Sequence, residues 1–225
     1  MILEMTLRDT SRQKVFHKSI VMERKKFGSA YRSAYWITAP AHEKRIAFLL
    51  SEDRSPPGMW MYFPAAHRVT EIVTRGFPAL ASDFNCEDLM EQIPLASFQF
   101  RLLGQEREGG ILLARVEMVP ATDRLKSELG ISKSIGWVRR DIGMITRAEY
   151  FDEGGAVFKR FTADDIRKVR GIWTAHRLVM ENLRAQHSSE VRVVAEDYLA
   201  PIADSVFSPE AIGADFDLAV GADPK

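Results

Sequence analysis

Residues 58–64 read GMWMYFP, five large and mostly apolar side chains between a glycine and a proline. In an extended strand successive side chains point to opposite faces. Met59, Met61 and Phe63 therefore share one side, and Trp60 and Tyr62 the other. Neither side suits water, so a strand of this kind needs cover on both faces. AYWI (34–37) and IAFLL (46–50) have the same two-sided character. Something packs against each face of the sheet they build.

Away from these segments the dominant period is two, with one apolar face. Leu3, Met5 and Leu7 alternate with Glu4, Thr6 and Arg8. Phe16, Ile20 and Met22 share a face that Lys18 and Arg24 interrupt, and Phe98, Phe100 and Leu102 alternate with Gln99 and Arg101. Leu112, Ala114, Val116 and Met118 form a fourth such face, and Val191, Val193 and Ala195 a fifth. Turn signals separate them at short spacing, among them Gly28-Ser29, Pro56-Pro57-Gly58, Gly109-Gly110 and Gly154-Gly155. About ten short strands joined by hairpins predict a mainly β domain spanning 1–225, an antiparallel meander curled into a barrel or half-barrel. Helices are expected only around 85–93, around 122–129, and from Ser208-Pro209-Glu210, where Ser208 caps and Pro209 takes the first helical position. The tail, 214–225, reads as disordered.

The 225 residues hold 31 Lys plus Arg against 31 Asp plus Glu, with 46% hydrophobic residues. That balance leaves no basic footprint for nucleic acid. Cys86 is the only cysteine, so no internal disulfide forms. No apolar run approaches the length of a membrane-spanning helix. The opening MILEMTLRDT carries Glu4 and Asp9 and has no basic-then-apolar start, so either the protein is cytosolic or its natural beginning lies outside the quoted chain.

The five histidines, at 17, 42, 67, 176 and 187, form no His-x-x-x-His pair, and no zinc signature, phosphate loop, dinucleotide fingerprint or nucleophile elbow is present. No metal, cofactor or catalytic residue is predicted. One stretch invites a chemical reading, ASDFNCEDL (81–89), with three acids and the lone thiol. A reactive Cys86 would need a nearby histidine or a helix start. Calcium would need a loop spacing that is absent. Architecture asks for less. Asn85, Ser82 or Asp83 can cap a short helix with Glu87 and Asp88 in its first turn, while Phe84 and Leu89 face the sheet.

The run MWMYFPAAHRVTEI (59–72) followed by SDFNCEDL (82–89) resembles the hallmark of the outer-membrane lipoprotein-sorting protein family, the group similar to the periplasmic carrier LolA. The matching positions are Trp60, Tyr62 and Pro64, then Ser82, Asp83, Phe84, Glu87, Asp88 and Leu89. The series continues through Trp137, EYFDEGG (149–155), Gly171 with Trp173, Met180 with Asn182, and VFSPEAI (206–212), nearly the whole chain. The resemblance implies a periplasmic protein with an unclosed antiparallel β-barrel under a helical lid. It implies a carrier that shields lipid or lipoprotein acyl chains, with transient membrane contact and inner- or outer-membrane transport proteins as the expected partners. It also implies a signal sequence and a first helix ahead of the first strand, so the expectation is that the natural beginning lies outside the quoted chain.

Periodicity alone favours side chains that pack on one another, because interiors are close-packed. The resemblance favours an apolar cavity. Its expected lining is Trp36, Phe48, Trp60, Tyr62, Phe98, Phe100, Trp137 and Trp173. Two alternatives stand beside the carrier: a protein-interaction module accessory to a membrane transporter, and a lipid hydrolase in which folding brings a histidine to Cys86 or to a serine.

Overall fold

The structure, a computed structural model, describes residues 1–55, 57–91 and 95–214. Six strands come first: β1 (Ile2–Asp9), β2 (Lys14–Phe27), β3 (Ala30–Ala39), β4 (Ala47–Ser51), β5 (Gly58–Phe63) and β6 (Arg68–Glu71). Seven follow: β7 (Phe98–Glu108), β8 (Ile111–Pro120), β9 (Lys133–Arg139), β10 (Met144–Phe151), β11 (Val157–Val169), β12 (Ile172–Asn182) and β13 (His187–Ala195). Each group is an antiparallel meander. They join where the first strand pairs with the last, giving the order β6-β5-β4-β3-β2-β1-β13-β12-β11-β10-β9-β8-β7. The edges β6 and β7 do not pair, so the barrel stays open. The sheet has more strands than the ten expected, and some are short or irregular; β6 has four residues, and the β9–β10 register slips between Ile145 and Arg147.

The register carries the alternation from strand to strand. Leu3 lies opposite Ile20 and Val193, and Met5 opposite Lys18 and Val191. Ile20 lies opposite Ile37, and Val191 opposite Leu178. One apolar face therefore runs through the whole sheet. Bulges bend it inward: besides the β9–β10 slip, β7–β8 shifts between Leu102 and Gly104. An extra residue on one strand increases local bending and twist, which curls an open sheet into a trough.

The two-sided segments are covered on both faces, as GMWMYFP requires. Phe48, Leu50, Met59 and Met61 belong to the core on the concave face. Ala34, Trp36, Leu49 and Tyr62 belong to a second core on the convex face, closed by Phe207 and Ile212. Ile212 comes from the C-terminal helix α2 (Pro209–Gly213), whose N-cap Ser208 accepts a hydrogen bond from the Ala211 N–H at 3.2 Å. The other helix, α1 (Asp123–Leu129), is capped by Thr122 and stopped by Gly130 in the left-handed conformation. The expected lid helices are thus divided. α2 seals the outside, while the concave face is covered by the connection from β6 to β7, whose described residues hold three single-turn helices, Ala79–Ala81, Cys86–Leu89 and Leu95–Ser97. The tail expected to be disordered lies, from residue 215 on, outside the described residues, as do the last residues of the helix expected around 85–93.

Candidate functional site

The crossing segment fills only part of the trough. Ile72, Ala79, Leu80, Phe84 and Cys86 pack with Leu3, Ile20, Tyr35, Phe48, Met59 and Met180, covering the inner surface of β1 to β5 and part of β12 and β13. Beside it the trough stays empty. A cavity of about 2760 Å³ runs between the crossing segment and the inner surface of β7 to β13. Its wall is apolar over a long stretch, with Phe98 and Phe100 from β7, Val116 and Met118 from β8, Val138 from β9 and Ile145 from β10. Trp173 and Leu178 continue it on β12. Phe100 is 44% exposed and Leu102, opposite Val116, 60%, unusual for inward-facing side chains of a sheet.

The SDFNCEDL residues build the boundary of this cavity. Ser82 Oγ donates to the Ala79 carbonyl at 2.6 Å and accepts from the Phe84 N–H at 3.2 Å, closing a turn. Asp83 is tied to β13: its carboxylate accepts from Ser189 Oγ at 2.7 Å, and its N–H donates to the same oxygen at 2.9 Å. Phe84 drops into the core edge-on to Phe161, with ring centroids 6.4 Å apart. Asp88 accepts from the Asn85 N–H at 2.8 Å, from Tyr150 Oη at 3.2 Å and from Lys159 Nζ at 3.2 Å, so one carboxylate caps the turn and fixes it to β10 and β11. The Leu89 side chain packs against the core, and its carbonyl accepts from the Arg24 guanidinium at 3.1 Å. Glu87 turns the other way and accepts from the Gly76 N–H at 3.1 and 3.2 Å.

Burial sets the protonation of this element. It pushes the Glu87 carboxyl above its ordinary value, only partly offset by hydrogen bonds from the backbone. It pushes the Tyr150 hydroxyl well up, and the neighbouring Asp88 adds to the rise. The Cys86 thiol is fully buried and pushed up to about 12, by burial first and then by Glu87 and Asp88. A thiol with that pKa is not a nucleophile at neutral pH. Lys18, 3% exposed, extends under the same segment, donating to the Leu80 carbonyl at 2.8 Å and pairing with Glu43 at 2.7 Å. It braces a strained turn, since Leu80 and Ala81 both have φ above 50°. This explains why Lys18 interrupts an apolar face.

The predicted lining residues divide by strand parity. Phe98, Phe100 and Trp173 border the cavity. Phe48 is on the concave face but sealed in the core beneath the crossing segment. Trp36, Trp60 and Tyr62 lie on the convex face, against the C-terminal segment. Trp137 also faces out, opposite Arg147, whose guanidinium lies 4.9 Å from its ring. Those four are corrections. Large aromatics mark two-sided strands, and only the pairing register says which side is inward. Val138, Gly136 and Ile145 were missed; β9 and β10 show no clean alternation because of the bulge between them.

The hydrolase alternative asks for a histidine beside Cys86 or a serine. His17, His42, His67 and His187 are exposed. His176 is buried, with Nε2 2.9 Å from Glu196 and Nδ1 3.2 Å from the carbonyls of Asp165 and Thr174. Its ring is engaged by those acceptors. Among the described residues no three His, Cys, Asp or Glu side chains converge on a possible metal position.

Residues 30–213 match a family model described as "uncharacterized protein", of the DUF1329 type. The chain belongs to this family. No curated protein matches. Among solved structures the chain is similar to a DUF1329 family protein from Desulfovibrio piger, with 23% identity, a TM-score of 0.82, and 94% of this chain and 89% of that one covered. It is also similar to a domain from Vibrio parahaemolyticus described as an outer membrane lipoprotein-sorting protein domain, with 21% identity, a TM-score of 0.84, and coverage of 95% and 90%. A LolA superfamily protein from Nitrosomonas europaea is more distant, with 15% identity, a TM-score of 0.66, and coverage of 92% and 88%. The family's fold is thus the LolA-like open barrel.

Proposed function

We propose that this protein is a periplasmic carrier that shelters lipid or lipoprotein acyl chains in the trough beside the crossing segment. The observation that carries this reading is the bare apolar wall, where Phe98, Phe100, Val116, Met118 and Val138 line a cavity of about 2760 Å³ that the described residues leave unfilled. An exposed apolar surface of this extent marks a place where something else binds. The work is burial rather than chemistry: about ten methylenes moved from water contribute roughly 8 kcal/mol before ordering costs. The similar domain from Vibrio parahaemolyticus, described as lipoprotein-sorting, supports the same kind of cargo. On this reading the carrier needs no cofactor, touches membranes transiently, and meets inner- or outer-membrane proteins for loading and release.

The test is native mass spectrometry of protein purified without detergent, with mass spectrometry of its organic extract. The wild type carries a stoichiometric fatty acid or phospholipid. Phe100→Asp, which places a charge on the wall without touching a packed core, loses most of it with an unchanged far-UV spectrum. A clean apo mass that takes up no added lipid overturns the carrier. It leaves the docking alternative, in which the unpaired edge β7, bearing Phe100 and Leu102, receives another protein.

A further inference from the structure

Most glycines with a stated reason in this fold are explained by the chain's own needs. Gly28, Gly130 and Gly171 have φ of 62°, 66° and 89°, which only glycine adopts easily. Gly58 would place a Cβ 2.2 Å from the Trp60 ring, and Gly213 would place one 3.1 Å from Tyr62. Gly136 is different. It sits in the middle of β9, with no left-handed φ, opposite Val116 on one side and Ala148 on the other. A Cβ there would meet only Ile145 side-chain atoms and the Arg147 carbonyl, at 3.8 to 4.0 Å, which is ordinary van der Waals contact. Glycine in a strand interior weakens the strand and often marks a bulge, a tight bend, or close approach by a ligand or another backbone. The β9–β10 bulge lies between the Ile145–Val138 and Arg147–Trp137 pairs, and Gly136 is in regular register with both neighbours, so the bulge does not require it.

The missing side chain points into the trough. Gly136 shares the concave face with Val116, Val138, Ile145 and Ala148, and all five line the cavity. The polar side chain nearest on that face along β9 is Ser134, which is buried. The wall is thus locally thinned by one side chain in a purely apolar patch, and among the described residues no atom beyond the chain neighbours lies closer than 3.8 Å to the space a Cβ would take. We propose that Gly136 is the specificity-determining position of the trough, the point where an apolar chain lies directly on the β9 backbone. This rests on the carrier reading and adds a location to it. A slender unbranched chain fits the thinned wall, and any side chain at 136 competes with it for volume.

The experiment measures binding of a dansyl-labelled unbranched fatty acid, and its displacement by an unlabelled one, to wild type, Gly136→Ala and Gly136→Phe, with thermal melting of each. The expected result is a several-fold loss for Gly136→Ala and a loss of about tenfold or more for Gly136→Phe, what two methylenes left in water would produce. Melting temperatures stay close to wild type, because the added atoms enter empty space. Gly136→Ala keeps the test decisive if the phenylalanine variant folds poorly. Equal binding by all three proteins overturns the role of Gly136 and leaves the carrier standing. Absence of binding by the wild type overturns both.

Discussion

The two halves of the concave face have the same sequence pattern and opposite fates. In β1 and β2, Leu3, Met5, Ile20 and Met22 alternate with polar residues and end buried, under Leu80, Phe84 and Cys86 of the crossing segment. In β7 and β8, Phe98, Phe100, Leu102, Val116 and Met118 alternate equally well, yet none is fully buried. Alternation thus specifies a face and not its cover. The cover comes from a segment long enough to cross one half of the trough, fastened there by Asp83 and Asp88. An open apolar groove arises where the described chain stops covering its own face.

That contrast can be broken from the covered side. Phe84→Ala removes a fully buried ring, and the cost of such truncations is about 3–5 kcal/mol. Chemical denaturation should show it, together with increased uptake of an apolar dye as the crossing segment loosens. A smaller effect follows from Asp88→Asn, which leaves the buried Lys159 ammonium without its charge partner. Asparagine keeps an acceptor, so the loss is about 2–3 kcal/mol, below that of deleting one partner outright. Asp88→Asn combined with Lys159→Met should recover part of it, and a double mutant no better than the single would refute the pairing.

Glu87 supplies a pH test of the same element. Its folded-state pKa is raised above the ordinary 4.5 by burial. Its contribution is therefore fully present below pH 4.5 and is lost as pH rises through the folded value. Glu87→Gln keeps the acceptor for Gly76 and removes the charge. Its melting temperature should match wild type at pH 4 and gain on it toward pH 7; a constant offset would contradict the burial of Glu87. The smallest effect belongs to the bare half. Leu102→Ser, at a side chain 60% exposed, should change stability by less than about 0.5 kcal/mol while reducing lipid retention.

Much of this protein is legible in its sequence because backbone geometry is local. Side chains alternate with period two in any extended strand, so the β class, the hairpin turns and the two-sided strands of GMWMYFP could be read directly, and so could the cap at Ser208. The architectural reading of SDFNCEDL also follows from local chemistry, as short polar side chains beside a helix start satisfy its free N–H groups. Two things could not be read that way. Which face of β5 and β9 turns inward, and so whether Trp60, Tyr62 and Trp137 line the trough, depends on register with strands far along the chain. Which half of the trough the described residues leave open depends on where the segment 72–91 crosses the sheet. Both are decided by long-range pairing, because a strand carries the same alternation whether its inner face meets the chain's own side chains, a ligand or water.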